Sequence, residues 1–376
     1  MNTTLKKIFN FFKKETVLCI AALLSVISAF FVPPSAEYLE YMDWRVLALL
    51  FGLMLVVAGL QSIGLFRYLG LKLLEKIRTT RQLCLLLVAL CFFSAMLITN
   101  DVALITFVPF AVMILNLADQ NRLLIPTVVL QTIGANLGSM LTPIGNPQNL
   151  YLYSTYSIPM GTFLLNMLPL TLLALALLVV GVFLLPKSVL SVTAPEKPAP
   201  LPKGKLIFYL ALFLVAISCV IRLLPWPAML AILGLAALII DRKLFRSVDY
   251  FLLLTFVCFF LFIGNMERIP AISNLLQTFI QGRELLLGIL LSQFISNVPA
   301  AILLSGFTDA AKPLLYGINL GGLGTLIASL ASVISYRAYG ESKDAAKGAY
   351  IKAFTLYSIV FLVILAPAAV LILSWS

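Results

Sequence analysis

The stretch Gly134-Ala135-Asn136-Leu137-Gly138-Ser139-Met140-Leu141-Thr142 returns as Gly317-Ile318-Asn319-Leu320-Gly321-Gly322-Leu323-Gly324-Thr325, and both copies interrupt long apolar runs. Each copy follows a shorter polar break, Thr99-Asn100-Asp101 in the first half and Ser296-Asn297-Val298 in the second. Two breaks per half, in the same order, define a repeat. The surrounding chain is 62% hydrophobic and 11% charged, with a mean hydropathy of +1.07, against about 25% charged residues in a soluble domain. Such a chain belongs in a bilayer, where unwound backbone is tolerated only beside a cavity. Interrupted segments at matching places in two halves point to the substrate and ion site of a secondary transporter.

The net charge of +11 would suit a nucleic-acid surface if it were clustered, but it follows the predicted topology instead. Reading the spans in order, every lysine and arginine except Arg45, Arg222, Arg268, Arg283 and Lys312 falls on one side. This positive-inside pattern predicts a cytoplasmic N-terminus, an extracytoplasmic C-terminus and no nucleic-acid partner. Lys6, Lys7, Lys13 and Lys14 before an apolar run from Thr16 to Val32 superficially resemble a signal peptide. That run lacks a small-residue cleavage site and is long enough to span, so it is read as a helix.

At about 20 apolar residues per span, helices are expected at 16–32, 44–64, 163–185, 206–224, 226–240, 248–264 and 349–374. The run 83–118 is too long for one span, yet Arg78, Arg81 and Arg122 put both its ends on the same side. It therefore reads as a re-entrant hairpin with its tip at Thr99-Asn100-Asp101. The run 284–311, with its tip at Ser296-Asn297-Val298, reads as a second hairpin entering from the opposite face. Each hairpin precedes a broken span: 123–158, interrupted from Asn136 to Asn149, and 313–335, interrupted from Asn319 to Thr325. The expected fold is an all-α polytopic membrane protein of two inverted repeats, with about nine spanning helices counting the two broken ones, plus two re-entrant hairpins. The first repeat covers 1–185. Residues 186–205, rich in proline, form a cytoplasmic linker, and a connecting helix and the inverted repeat cover 206–376.

Chemistry is scarce. There is no histidine, and the five cysteines sit singly in apolar runs, as buried small hydrophobes do. Of the acidic residues only Asp101 falls near mid-depth, where a charge is costly and marks function by default. A purely structural reading has Asp101, with Asn100, capping the second hairpin arm. Asn100, Asn136, Asn297 and Asn319 stand one at each break; an amide can bind an anion, ligate a cation through its oxygen, or tie unwound backbone together. The glycines of the breaks supply positive φ or close packing. Pro143 and Pro147, in Thr142-Pro143-Ile144-Gly145-Asn146-Pro147-Gln148-Asn149, stop the helix and expose half-helix ends, whose N-termini favour anions. An intramembrane aspartyl protease needs two membrane acids, and serine chemistry needs a base that a chain without histidine lacks. The chain is therefore read as a non-enzyme without organic cofactor, and an uncoupled channel is the rival class.

The two polar tips, together with the Thr-Pro-x-Gly-Asn-Pro-x-Asn run, resemble the ion transporter superfamily of divalent anion/sodium symporters, citrate permeases, arsenite permeases and sodium/proton antiporters, and most of all a group of small bacterial inner-membrane permeases. The resemblance covers nearly the whole chain. It implies alternating access coupled to sodium or protons, with sodium as the ion bound if any, and a homodimer in the membrane. It places one coupling-ion site at Thr99, Asn100, Asp101, Asn136 and Gly138, and its counterpart at Ser296, Asn297, Asn319, Gly321 and Gly322. Substrate would lie between the tips, at Asn100, Asp101, Asn146, Asn149, Asn297 and Val298. Dicarboxylate members carry Ser-Asn-Thr at both tips; here Asp101 and Val298 replace the threonines. A small anion, carboxylate or oxyanion, is the first expectation by frequency in the superfamily, arsenite or antimonite efflux the second, sodium/proton exchange the third.

Overall fold

The computed structural model describes residues 15–75, 77–190, 199–342 and 345–375. Lys6, Lys7, Lys13, Lys14, Lys76, Lys197 and Lys343 of the charge pattern, and Pro195 and Pro198 of the linker, lie outside the described residues. The described chain is all-α. In the first half α1 is Thr16–Phe31, α2 Trp44–Ser62, α3 Leu65–Leu74, α4 Thr80–Ile98, α5 Asn100–Leu117, α6 Leu124–Ser139, α7 Pro147–Thr155 and α8 Met160–Phe183. In the second, α9 is Lys203–Val220, α10 Trp226–Ile240, α11 Tyr250–Glu267, α12 Pro270–Ile280, α13 Glu284–Ile295, α14 Asn297–Ser305, α15 Ala311–Gly321, α16 Leu330–Gly340 and α17 Lys347–Ser374.

Among the described residues, seven helical segments are long and apolar enough to cross a bilayer: α2 with its leading turn from Ala36, α4, α5, α8, α9, α11 and α17. The protein is an all-α polytopic membrane protein. Two details differ from the sequence reading. Helices α1 and α10 keep the expected limits to within one residue, but with 16 and 15 residues they rise only about 24 and 22 Å, short of a full span. Conversely, both arms of the first hairpin have spanning length, whereas α13 and α14 do not. Hydrophobicity alone does not place helix ends. Pro225 and Asp241 bound α10 where the sequence reading places its ends, while Thr79 and Gln82 form a capping box that starts α4 before the apolar run begins.

The hairpins open toward opposite ends of α8. At its C-terminal end, the Thr80 hydroxyl donates to Pro186 O at 3.0 Å, and the Thr80 N–H to Ser188 O at 3.0 Å, tying down the base of the first hairpin. At its N-terminal end, the Tyr156 hydroxyl donates to Thr308 O at 2.7 Å, beside the base of the second. With 24 residues, α8 separates the two bases by about 36 Å. The start of the linker is thus pinned rather than loose, and its far end, from Lys203, is already helical.

Within each half the first hairpin arm packs along the first part of the broken helix, α4 on α6 and α13 on α15. Glycines set how closely. A Cβ on Gly138 would lie 2.1 Å from Phe92 O, and one on Gly321 would lie 2.5 Å from Ser292 Oγ. Helices α1 and α11 run in the same direction, because Asn265 Nδ2, near the end of α11, donates to Ser28 Oγ, near the end of α1, at 2.9 Å.

Candidate functional site

Both hairpins turn on a single residue with positive φ. Thr99 has φ 77° and ψ 147°, and Ser296 has φ 72° and ψ 156°, a region that is essentially glycine's own. The glycines of the breaks were expected to supply this freedom; among them only Gly324 has a positive φ. The first break is also shorter than expected, and the second is displaced toward the C-terminus. Helix α6 continues through Asn136 and Gly138 to Ser139, and α7 resumes at Pro147, so Asn149 is helical. Likewise α15 includes Asn319 and Gly321, and the second break begins at Gly322. Asn136 and Asn319 therefore project from the last turns of helices, and Asn149 from the first turn of one, rather than from loops, which fixes their direction.

Asn100 and Asn136 are joined. Asn100 Nδ2 donates to Asn136 Oδ1 at 3.0 Å, and the Asn100 N–H donates to Gly145 O at 3.0 Å. Asn136 then reaches into the other half: its Nδ2 donates to Ser332 Oγ at 3.2 Å and Gly322 O at 3.4 Å, and its Oδ1 accepts from Ser329 Oγ at 3.1 Å. A second chain runs beside it. Asn146 Nδ2 donates to Ser139 Oγ at 2.9 Å and Asn319 Oδ1 at 3.2 Å, while Asn319 Nδ2 donates to Asn149 Oδ1 at 2.7 Å. Asn146 caps α7 by accepting from the Asn149 N–H at 2.9 Å, and Asn149 Nδ2 spans the carbonyls of Ser139, Met140 and Thr142. Asn146 and Asn149 are buried, and these bonds occupy their amides.

Two expected site residues keep open polar groups. Asn297 is 4% exposed and makes no hydrogen bond through its side chain among the described residues; its Nδ2 lies beside Gly322. Asp101 is half-buried, and its carboxylate has neither hydrogen bond nor ion pair among the described residues. Asp101 does not cap the second hairpin arm, whose N-cap Thr99 makes no side-chain cap bond; Asn100 Oδ1 accepts from the Asp101 N–H at 3.0 Å. A second acid, Asp249, is the N-cap of α11, where its side chain accepts from the Leu252 N–H. Val298 is buried on the wall of a neighbouring cleft.

Three helices, α5, α14 and α7, begin at this cluster, and α6 and α15 end at it. N-terminal ends favour negative charge and C-terminal ends positive charge. The arrangement can therefore hold an anion and a cation side by side, as unwound transporter helices do.

Sequence reasoning missed the hydroxyl face of α16. Ser329 and Ser332 meet Asn136, while Ser335 bonds Thr132 Oγ1 and Tyr350 OH in a fully buried group. The signal was present as Ser329-x-x-Ser332-x-x-Ser335, spaced to line one side of a helix.

An uncharacterized transporter of Methanocaldococcus jannaschii is 34% identical over 307 residues, 80% of this chain and 82% of the relative. The inner membrane protein YbiR of Escherichia coli K12 is 32% identical over 326 residues, 84% of this chain and 85% of the relative. A silicon efflux transporter of Oryza sativa subsp. japonica is 31% identical over 150 residues, 40% of this chain and 30% of that protein. The family described as Citrate transporter matches residues 8–313. The chain thus belongs to the citrate transporter family, a member of the ion transporter superfamily, and is a transporter rather than an enzyme.

Proposed function

We propose that this protein is a secondary active transporter of the inner membrane that works by alternating access, with the hairpins and broken helices moving against the remaining helices. Its N-terminus faces the cytoplasm and its C-terminus the outside, a reading supported by the distribution of basic residues. A proton or a sodium ion on Asp101 couples the cycle. The observation that carries this reading is the Asp101 carboxylate, without a partner among the described residues, in a cluster of amides and hydroxyls to which no described lysine or arginine belongs. A charge held there without a counterion is costly, so an ion from solution completes it.

The same observation favours a small hydroxylated solute that crosses uncharged, moved outward in exchange for the cation, as arsenite- or antimonite-type efflux requires. The stretch shared with a silicon efflux transporter agrees with this. Transport of a carboxylate or inorganic oxyanion is the second reading. It is favoured by the three helix N-termini at the cluster and by the family's name, with the cation entering beside the anion. Sodium/proton exchange without a further solute is the third. Reconstituted vesicles separate these readings: internal pH and internal sodium are followed on addition of arsenite, silicate or citrate. Cation movement driven by arsenite or silicate and absent in Asp101→Asn supports efflux. Citrate uptake retained in Asp101→Asn removes Asp101 from the coupling role and selects the anion reading.

A further inference from the structure

A cleft of about 690 Å3 runs between α1, α11 and α12 on one side and the second hairpin with α16 on the other. Its size falls in the range of sites for small ligands, but its walls do not suit a polar solute. Phe251, Phe259, Phe262, Met266, Leu276 and Leu303 line it, and Val298 and Pro299 of the hairpin form part of its wall. Beside them Phe294 and Ile327 are 77% and 59% exposed, so the apolar interior continues into the surface that faces lipid.

Polar groups collect at one end. Glu15 and Asp249 precede the parallel helices α1 and α11 and so lie at the same level. Arg337, in the last turn of α16, also lines the cleft, is exposed, and makes no ion pair among the described residues. An apolar slot open to the bilayer, with both signs of charge at its mouth, has the shape and polarity of one phospholipid. We propose that the cleft holds an acyl chain of a zwitterionic aminophospholipid from the surrounding membrane, its phosphate on Arg337 and its ammonium on Asp249 and Glu15. An anionic headgroup would meet the two carboxylates, and a quaternary ammonium would offer them no hydrogen-bond donor. The chain would wedge against Val298 and Pro299, so lipid occupancy sets where the second hairpin rests. This inference does not depend on the identity of the substrate.

The test is native mass spectrometry of the delipidated protein exposed to phosphatidylethanolamine, phosphatidylcholine or phosphatidylglycerol, with thermal unfolding read in parallel. One phosphatidylethanolamine per chain is expected to bind tightest and to raise the melting temperature. Leu303→Trp and Leu276→Trp, which fill the cleft from opposite walls, should each lower its retention at least tenfold. Arg337→Gln, an exposed change that leaves the core intact, should lower it about tenfold through loss of one charge-assisted contact. Retention unchanged in Arg337→Gln and in whichever tryptophan variant folds, equal or tighter binding of phosphatidylglycerol, or no retained lipid would each overturn the proposal.

Discussion

Asn319 turns away from Asn297, although their counterparts Asn136 and Asn100 in the first half share a 3.0 Å hydrogen bond. Asn319 is engaged by Asn146 and Asn149 across the two halves, leaving the Asn297 amide open inside the protein. The inverted repeats are thus equivalent in sequence order and unequal in bonding: the asparagine of one hairpin tip is bonded to its broken helix, and that of the other makes no side-chain hydrogen bond among the described residues.

This inequality predicts opposite effects of two similar substitutions. Asn136→Ala removes bonds to Asn100, Ser329, Ser332 and Gly322 and leaves several buried groups without partners. A loss of about 2–4 kcal/mol is expected, seen as a lower melting temperature in detergent. Asn297→Ala breaks no bond and should change stability by less than about 1 kcal/mol, while abolishing transport in vesicles. Equal destabilisation by the two would refute the inequality.

Asp101→Asn should behave as a functional lesion with an intact fold. Since the carboxylate supports no contact in the described structure, the substitution should shift stability by no more than about 1 kcal/mol. What should vanish is linkage: thermal stabilisation by sodium or by protons, measured by titrating either against the melting temperature, is expected in the natural protein and absent in the variant. A variant that melts far below the natural protein at every pH and sodium concentration would show that Asp101 is structural.

The fold class and both pairs of breaks were legible in the sequence because the bilayer leaves so few solutions: an apolar run must be helical, and a polar interruption must face a cavity. The four asparagines stood out for the same reason. Which of them bond to one another was not legible, since Asn136 and Asn319 occupy matched positions and only the packed structure sends one toward its own hairpin tip and the other across to Asn146. The helix limits at Ser139 and Gly321 were missed because glycine and asparagine read as loop formers, whereas here close helix contact demands the glycines. Ser329, Ser332 and Ser335 escaped because serine at helical spacing is common packing material in membrane helices.

Gly138 is the tightest of those contacts. An added methyl would sit 2.1 Å from Phe92 O, against rigid helical backbone rather than a movable side chain. Gly138→Ala should therefore push α6 away from α4 and cost at least about 1–3 kcal/mol, with poor yield of folded protein. Gly161→Ala, where nothing lies within 4 Å of an added Cβ, is the control and should be neutral. Comparing expression and monodispersity of the two by size-exclusion chromatography decides the point; similar yields would mean that α4 and α6 are not held at this separation.

Thr99 and Ser296 hold their hairpins in a backbone region costing about 1–3 kcal/mol for any residue but glycine. No hydrogen bond from either side chain to the following helix offsets that cost. Thr99→Gly and Ser296→Gly should relieve the strain, less about 0.5–1 kcal/mol for the greater freedom of glycine in the unfolded chain, and so raise stability by about 1 kcal/mol each. Thr99→Ala, which retains a Cβ, should not. The strain is a property of the turn that presents Asn100 and Asn297, so the glycine variants are also expected to hold their tips less firmly and to transport more slowly at saturating substrate. Unfolding curves and vesicle flux from the same preparations would show the two effects moving in opposite directions. Glycine variants less stable than Thr99→Ala would mean that the tips do not adopt this conformation in the membrane.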